Sequence, residues 1–172
     1  LDVGCGGGPT SAAFAETVGP EGRVVGLDIS AVILAQARQR FGHLANLQFA
    51  QDDAGSMRFE PASFDVITSR FGVMFFPDRQ SGYREARRVL RPGGRFLFNV
   101  WDRIEDNEFA NDVTDALAEL FPDDPPRFLA RTPHGYHDTA LIRGELEDAG
   151  FSSVAIETRA EQSRASSPRL PA

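Results

Sequence analysis

The stretch Leu1-Asp2-Val3-Gly4-Cys5-Gly6-Gly7-Gly8 limits what this chain can fold into more than any other. A short apolar run encloses an acid, and glycine then stands at Gly4, Gly6 and Gly8, every second position. Glycine enters left-handed backbone at little steric cost, so such a loop turns tightly and lets a ligand lie against its main chain. Downstream, Val24-Val25-Gly26-Leu27-Asp28 is a second apolar run closed by an acid. Strand, glycine loop, helix, strand, acid is the order of a nucleotide-binding βαβ unit.

The rest of the chain keeps that alternation. Pro9, Thr10 and Ser11 can open a helix, the hydroxyls as caps and the proline in the first turn; it runs to about Val18 and stops at Gly19-Pro20. Residues 23–28 form the second strand, and Ser30 caps a helix over 31–41. Residues 46–50 and 64–69 read as the third and fourth strands. Tyr83, Ala86, Val89 and Leu90 share one face of a helix, which Pro92-Gly93-Gly94 ends before a fifth strand over 95–101. Arg84, Arg87, Arg88 and Arg91 crowd its other face and last turn and read as a solvated surface rather than a nucleic-acid patch. From 103 to 133 the alternation breaks around a helix at about 108–120. A helix over 138–149 follows, with Gly150 as its stop and a sixth strand over 153–159. Residues 160–172 are polar, contain prolines and have no period. This pattern predicts an α/β domain of three layers, with helices on both faces of a mostly parallel sheet. Right-handed crossovers in the order 3-2-1-4-5 put the ligand-binding switch point beside the first strand, where the glycine loop lies.

Composition removes several functions. A net charge of −7 argues against a general nucleic-acid binder. All 18 basic residues are arginine, which excludes a lysine Schiff base and a phosphate-loop lysine. The single cysteine cannot form an internal disulfide and fits a cytoplasmic protein. No apolar run approaches the roughly 20 residues of a membrane span.

The glycine loop can be tested against the dinucleotide pattern Gly-x-Gly-x-x-Gly. Gly4 and Gly6 match, but the third glycine falls at Pro9, which cannot give the same close helix–strand packing. The spacing that does fit is Asp2-x-Gly4-x-Gly6-x-Gly8, a loop able to hold an amino-acid moiety with the acid facing its ammonium group.

With these residues the chain resembles the class I S-adenosylmethionine-dependent methyltransferases, most closely the small-molecule branch of ubiquinone and menaquinone biosynthesis. The resemblance runs from residue 1 to about 159. It rests on five segments in order: Leu1–Gly8, Asp28-Ile29, Gln51-Asp52-Asp53-Ala54, Ser63-Phe64-Asp65-Val66-Ile67, and Leu90-Arg91-Pro92-Gly93-Gly94. It implies a Rossmann-like sheet of order 3-2-1-4-5-7-6 and S-adenosyl-L-methionine as methyl donor, leaving S-adenosyl-L-homocysteine. By the same match Asp2, Gly4, Cys5, Gly6 and Gly8 cradle the methionine part. Asp28 binds the ribose hydroxyls and Ile29 packs on the adenine; Asp53, rather than its neighbour Asp52, accepts from the adenine amino group beside the Ala54 N–H. Cys5 reads as a packing residue and Asp65 as a structural acid. Arg70 would bind either the cofactor carboxylate or an acidic acceptor, or else cap the sheet edge.

The expected reaction is in-line displacement onto a small organic acceptor. After the fourth strand stands Ser69-Arg70-Phe71-Gly72, not the Asn-Pro-Pro-Tyr of many amino-group methyltransferases of nucleic acids and proteins. Phe71, Phe75, Phe76, Trp101, Phe128 and Tyr136 are candidates for an apolar acceptor pocket, with 103–137 as an acceptor-side insertion. His134 and His137 are candidate general bases, and no metal site is expected. The alternatives are a nicotinamide-dependent oxidoreductase, which Pro9 disfavours, and a binding protein that keeps the cofactor pocket without transfer. The domain is expected over 1–159 with an irregular tail over 160–172. The first strand is expected to be truncated and strand 7 absent, leaving an open lane beside the fifth strand and a tendency to associate.

Overall fold

The computed structural model describes residues 1–162. Its elements run β1 (Asp2–Val3), α1 (Pro9–Val18), β2 (Val24–Asp28), α2 (Ala31–Phe41), β3 (Leu47–Gln51), β4 (Phe64–Arg70), α3 (Arg79–Val89), β5 (Leu90–Asn99), α4 (Glu108–Leu120), α5 (Phe128–Arg131) and α6 (Thr139–Asp148). Short 3-10 turns lie at Val73–Phe75 and Ile104–Asp106. The five strands form one parallel sheet in the order β3-β2-β1-β4-β5, as the alternation predicts.

Local chemistry sets the element ends. Gly8 adopts a left-handed conformation (φ 81°) that lets Pro9 start α1. Ser30 Oγ accepts from the Ile33 N–H at the start of α2, and the Asp138 carboxylate accepts from the Ala140 and Leu141 N–H groups at the start of α6. Gly150, at φ 93°, follows α6 as its stop. The strand β2 is apolar on both faces, as a central parallel strand must be. Its alternate residues enter two cores. Val24 packs with Ala12 and Ala15 of α1 and Leu47 of β3, while Val25 and Leu27 pack with Ile67 of β4 and Ala86 and Val89 of α3. A third cluster joins Tyr83 of α3 to Tyr136 and to Ile142 and Leu146 of α6.

Three expectations need correction. Thr10 and Ser11 do not cap α1; the Ser11 hydroxyl instead donates to the buried Asp2 carboxylate at 2.6 Å. The fifth strand starts at Leu90, which pairs with Phe64 before an irregularity in register; the Pro92-Gly93-Gly94 turn lies within it, with Gly93 at φ 80°. The sixth strand does not form: residues 153–159 carry no strand. A strand needs a neighbour to complete its ladder, and this segment has none among the described residues. Val154 and Ile156 pack on the third cluster instead, and the Val154 carbonyl accepts from Arg143. The part of the expected tail beyond 162, and with it any strand 7, lies outside the described residues.

Candidate active site

The carboxyl ends of β1, β2 and β4 open onto a cavity of about 540 Å³. Val3 and Gly4 form its floor, Leu27, Asp28 and Ile29 one wall, and residues 53–56 a second. Phe71, Gly72, Phe75, Phe76, Pro77, Asp78 and Ser81 close the far side. The switch point therefore holds the cavity that strand order predicts.

Asp28 is the junction of the site. One carboxylate oxygen accepts from the Gly6 N–H and the other from the Ser30 N–H, both at 2.9 Å. Each oxygen keeps a second lone pair, so the acid fixes the glycine loop and the start of α2 while still able to accept from a ligand hydroxyl. Asp53 is the next acid. Its Oδ1 accepts from the Gly55 N–H at 2.8 Å, leaving Oδ2 for a ligand. Asp52 is committed elsewhere: it accepts from the Asp53 N–H and from the backbone and side chain of Arg58, and the Arg58 hydrogen bonds overcome a partial desolvation to hold it below the usual carboxylate range. Of the two adjacent acids, Asp53 lines the cavity and Asp52 does not.

The glycine positions act by close approach. A Cβ on Gly4 would stand 3.4 Å from the Gly72 Cα, and one on Gly72 would stand 2.6 Å from Ser69 Oγ and 3.2 Å from the Val3 carbonyl oxygen. The floor is therefore bare main chain on both sides, which fits a ligand laid flat against it. Gly8 holds a different contact: a Cβ there would meet the Phe49 ring at 2.7 Å, so this glycine packs the loop on β3. Ser69 Oγ is buried without a hydrogen-bond partner directly beneath that floor.

Not every expected residue reaches the cavity. Asp2 is 1% exposed and bonded to Ser11 and Thr68, outside the lining. Burial pushes its carboxyl above the ordinary range against those hydrogen bonds. Cys5, Gly6 and Gly8 shape the loop without lining it. The Cys5 thiol is pushed up to about 12 by burial and by Asp2 and Asp28, which makes it a poor nucleophile at neutral pH. Arg70 is exposed, its guanidinium 5.9 Å from the Phe71 ring centre.

Of the aromatic candidates, Phe71, Phe75 and Phe76 line the cavity. Trp101 stacks on Phe71 at 4.3 Å, and Phe71 itself holds a left-handed backbone (φ 54°) uncommon outside glycine. Tyr136 is buried against Tyr83, and Phe128 is exposed on α5. His134 Nδ1 lies 2.8 Å from the Asp102 carbonyl oxygen and His137 Nδ1 2.8 Å from that of His134; neither lines the cavity. Among the described residues no group of three or more histidines, cysteines and acids is arranged to hold a metal. Gly55, Ser56, Pro77, Asp78 and Ser81 also line the cavity and are not among the candidates that the sequence motifs mark. The signal for the last two was present: Asp78-x-x-Ser81 starts the helix after the fourth strand, at the ligand-bearing end of the sheet.

Comparison with known proteins agrees with this geometry. Residues 1–94 match the family described as methyltransferase domain. The chain is 34% identical to the ubiquinone/menaquinone biosynthesis C-methyltransferase of Teredinibacter turnerae, over 88% of this chain and 66% of that protein. It is 42% identical to the demethylmenaquinone methyltransferase of Staphylococcus epidermidis, over 92% of this chain and 69% of that protein. The crystal structure of a Bacillus halodurans protein described as a putative methyltransferase superposes with a TM-score of 0.63 at 27% identity, covering 88% of this chain and 61% of that one. The chain thus spans about two thirds of the length of the curated relatives it matches.

Proposed function

The chain belongs to the methyltransferase-domain family, and from that premise we propose that it transfers a methyl group from S-adenosylmethionine to a small organic acceptor. The observation that carries this reading is the cavity at the switch point, with Asp28 and Asp53 on its walls and bare main chain at Gly4 and Gly72. Asp28 would accept from both ribose hydroxyls, Ile29 would pack on the adenine, and Asp53 Oδ2 with the Ala54 N–H would meet the adenine edge. Gly4 would lie along the methionine part, and Asp2, Cys5, Gly6 and Gly8 hold that loop in shape. Arg70, exposed and next in sequence to the lining residue Phe71, would meet a carboxylate of donor or acceptor. Bound there, the donor supplies a methyl group made electrophilic by its sulfonium charge. The protein's task is then to align the acceptor and exclude water, which lowers the barrier without a dedicated base unless the acceptor must lose a proton.

The names of the two curated relatives support an acceptor of the quinone class, and the Phe71–Trp101 stack beside the cavity supports a planar ring. The single cysteine and the charge of −7 support action in a reducing compartment on something other than nucleic acid. The test is transfer of labelled methyl from the donor to a panel of quinols, phenols and other small acceptors. Label in the small-molecule fraction is expected. Label only in added nucleic acid or protein would contradict the proposal, and donor binding without transfer to any acceptor would favour the non-catalytic reading.

A further inference from the structure

We infer that Ser81, with its hydroxyl proton drawn off by Asp78, is a second hydrogen-bond acceptor for a 6-aminopurine and selects it over the 6-oxo base. The inference rests on the donor assignment above and adds a residue to it. Three observations converge on one end of the cavity. Asp53, Ala54, Gly55, Pro77, Asp78 and Ser81 all line the cavity. A Cβ built on Gly55 would lie 3.4 Å from Asp53 Oδ1 and 3.4 Å from Ser81 Cβ, so the two side chains flank the same spot. The Ser81 hydroxyl donates to Asp78 Oδ2 at 2.6 Å, while the Ser81 N–H donates to Asp78 Oδ1 at 3.1 Å.

A hydroxyl has one proton and two lone pairs. With the proton committed to a carboxylate, Ser81 Oγ can only accept from a ligand. Asp78 stays ionised because the Ser81 hydroxyl and N–H both donate to it, holding it below the usual carboxylate range. This end of the cavity then offers two acceptors, Asp53 Oδ2 and Ser81 Oγ, beside one donor, the Ala54 N–H. A 6-aminopurine presents two amino hydrogens next to an acceptor nitrogen and matches that set. A 6-oxo purine presents an acceptor oxygen next to an N–H and opposes it at each position.

The experiment is calorimetric titration of the chain with S-adenosylhomocysteine and with its 6-oxo counterpart, S-inosylhomocysteine. Wild type, Ser81→Ala and Asp78→Asn are compared, with thermal melts to confirm each is folded. Ser81→Ala keeps the backbone N–H that donates to the Asp78 cap of α3, and asparagine remains a good cap at 78. In Asp78→Asn the side-chain amide can donate to Ser81, which frees the hydroxyl proton to point at the ligand. Ser81→Ala is expected to weaken the amino ligand by roughly tenfold, the scale of one hydrogen bond, with little change for the oxo ligand. Asp78→Asn is expected to narrow the preference for the amino ligand further by strengthening the oxo one. An amino-to-oxo ratio unchanged in both variants, with wild type still binding S-adenosylhomocysteine, would overturn the inference alone. No binding of S-adenosylhomocysteine to wild type would overturn the donor assignment and this inference with it.

Discussion

Asp28 joins three things with one carboxylate: the glycine loop through Gly6, the start of α2 through Ser30, and the cavity wall. Asp28→Ala is therefore expected to act twice. Loss of charged hydrogen bonds to a ligand should weaken S-adenosylhomocysteine by about 10- to 100-fold, and the two orphaned N–H groups should lower the melting temperature measured without ligand. Weaker binding with an unchanged melting curve would remove the positioning role. Gly72→Ala tests the floor. Its Cβ would enter at 2.6 Å from Ser69 Oγ and 3.2 Å from the Val3 carbonyl oxygen, an overpacking expected to cost about 1–3 kcal/mol in urea unfolding. Asp28 stood out in the sequence because it closes the second strand, and Asp53 and Ala54 only through the family resemblance; all three line the cavity. Asp2 was less legible. Its partners come from the first turn of α1 and the middle of β4, residues distant in sequence that turn an apparent ligand acid inward.

At the scale of elements, the arginine face of α3 shows where periodicity stops being informative. Arg88 donates to the Met57 and Phe59 carbonyls at 2.7 Å and pairs with Glu85, whose carboxylate in turn accepts from the Met57 N–H. Arg91 pairs with Asp65, and Arg87 donates to the Gly150 carbonyl. A helical wheel marks these residues as outward; only the packed loops show that they tether the segment behind the cavity wall. Arg88→Ala should cost about 1–3 kcal/mol by urea unfolding. Arg84→Ala should stay within about 0.5 kcal/mol, since exposed substitutions away from such contacts seldom cost more; equal costs would contradict the tether. Helices α1, α2, α4 and α6 and strands β2 to β4 lie within a residue or so of their expected places, because apolar period, caps and glycine stops agree there. The sixth strand failed for a nonlocal reason, since its apolar alternation is real but no neighbouring strand among the described residues completes it.

At the scale of the whole molecule, the described residues cover the sheet unevenly. Ile67 faces α3 and is fully buried, whereas Val66 and Leu97, on the opposite face of β4 and β5, are 42% and 53% exposed. That open apolar face, beside the outer edge of β5, should drive self-association. Leu97→Lys is expected to reduce it in light scattering while leaving the melting temperature nearly unchanged; a large loss of stability would show that Leu97 is core. The third cluster predicts an alkaline limit. Tyr83 and Tyr136 share a 2.8 Å hydrogen bond, and burial pushes both phenols up, that of Tyr83 to about 12. The folded chain then holds protons that the unfolded chain loses near pH 10, so stability should fall as pH rises from about 10 toward 12, by up to about 1.4 kcal/mol per pH unit for each tyrosine. Tyr83→Phe should shallow that slope in urea melts at pH 9.5–11.5 (roughly the window set by those values). The cavity beside the glycine loop, read as a nucleoside-binding site, is tested by calorimetric titration of the chain with S-adenosylhomocysteine. One molecule bound per chain, with affinity lost on Asp28→Ala, is the expected result. A folded chain that takes up no ligand at millimolar concentration, or one whose affinity ignores Asp28, would contradict it.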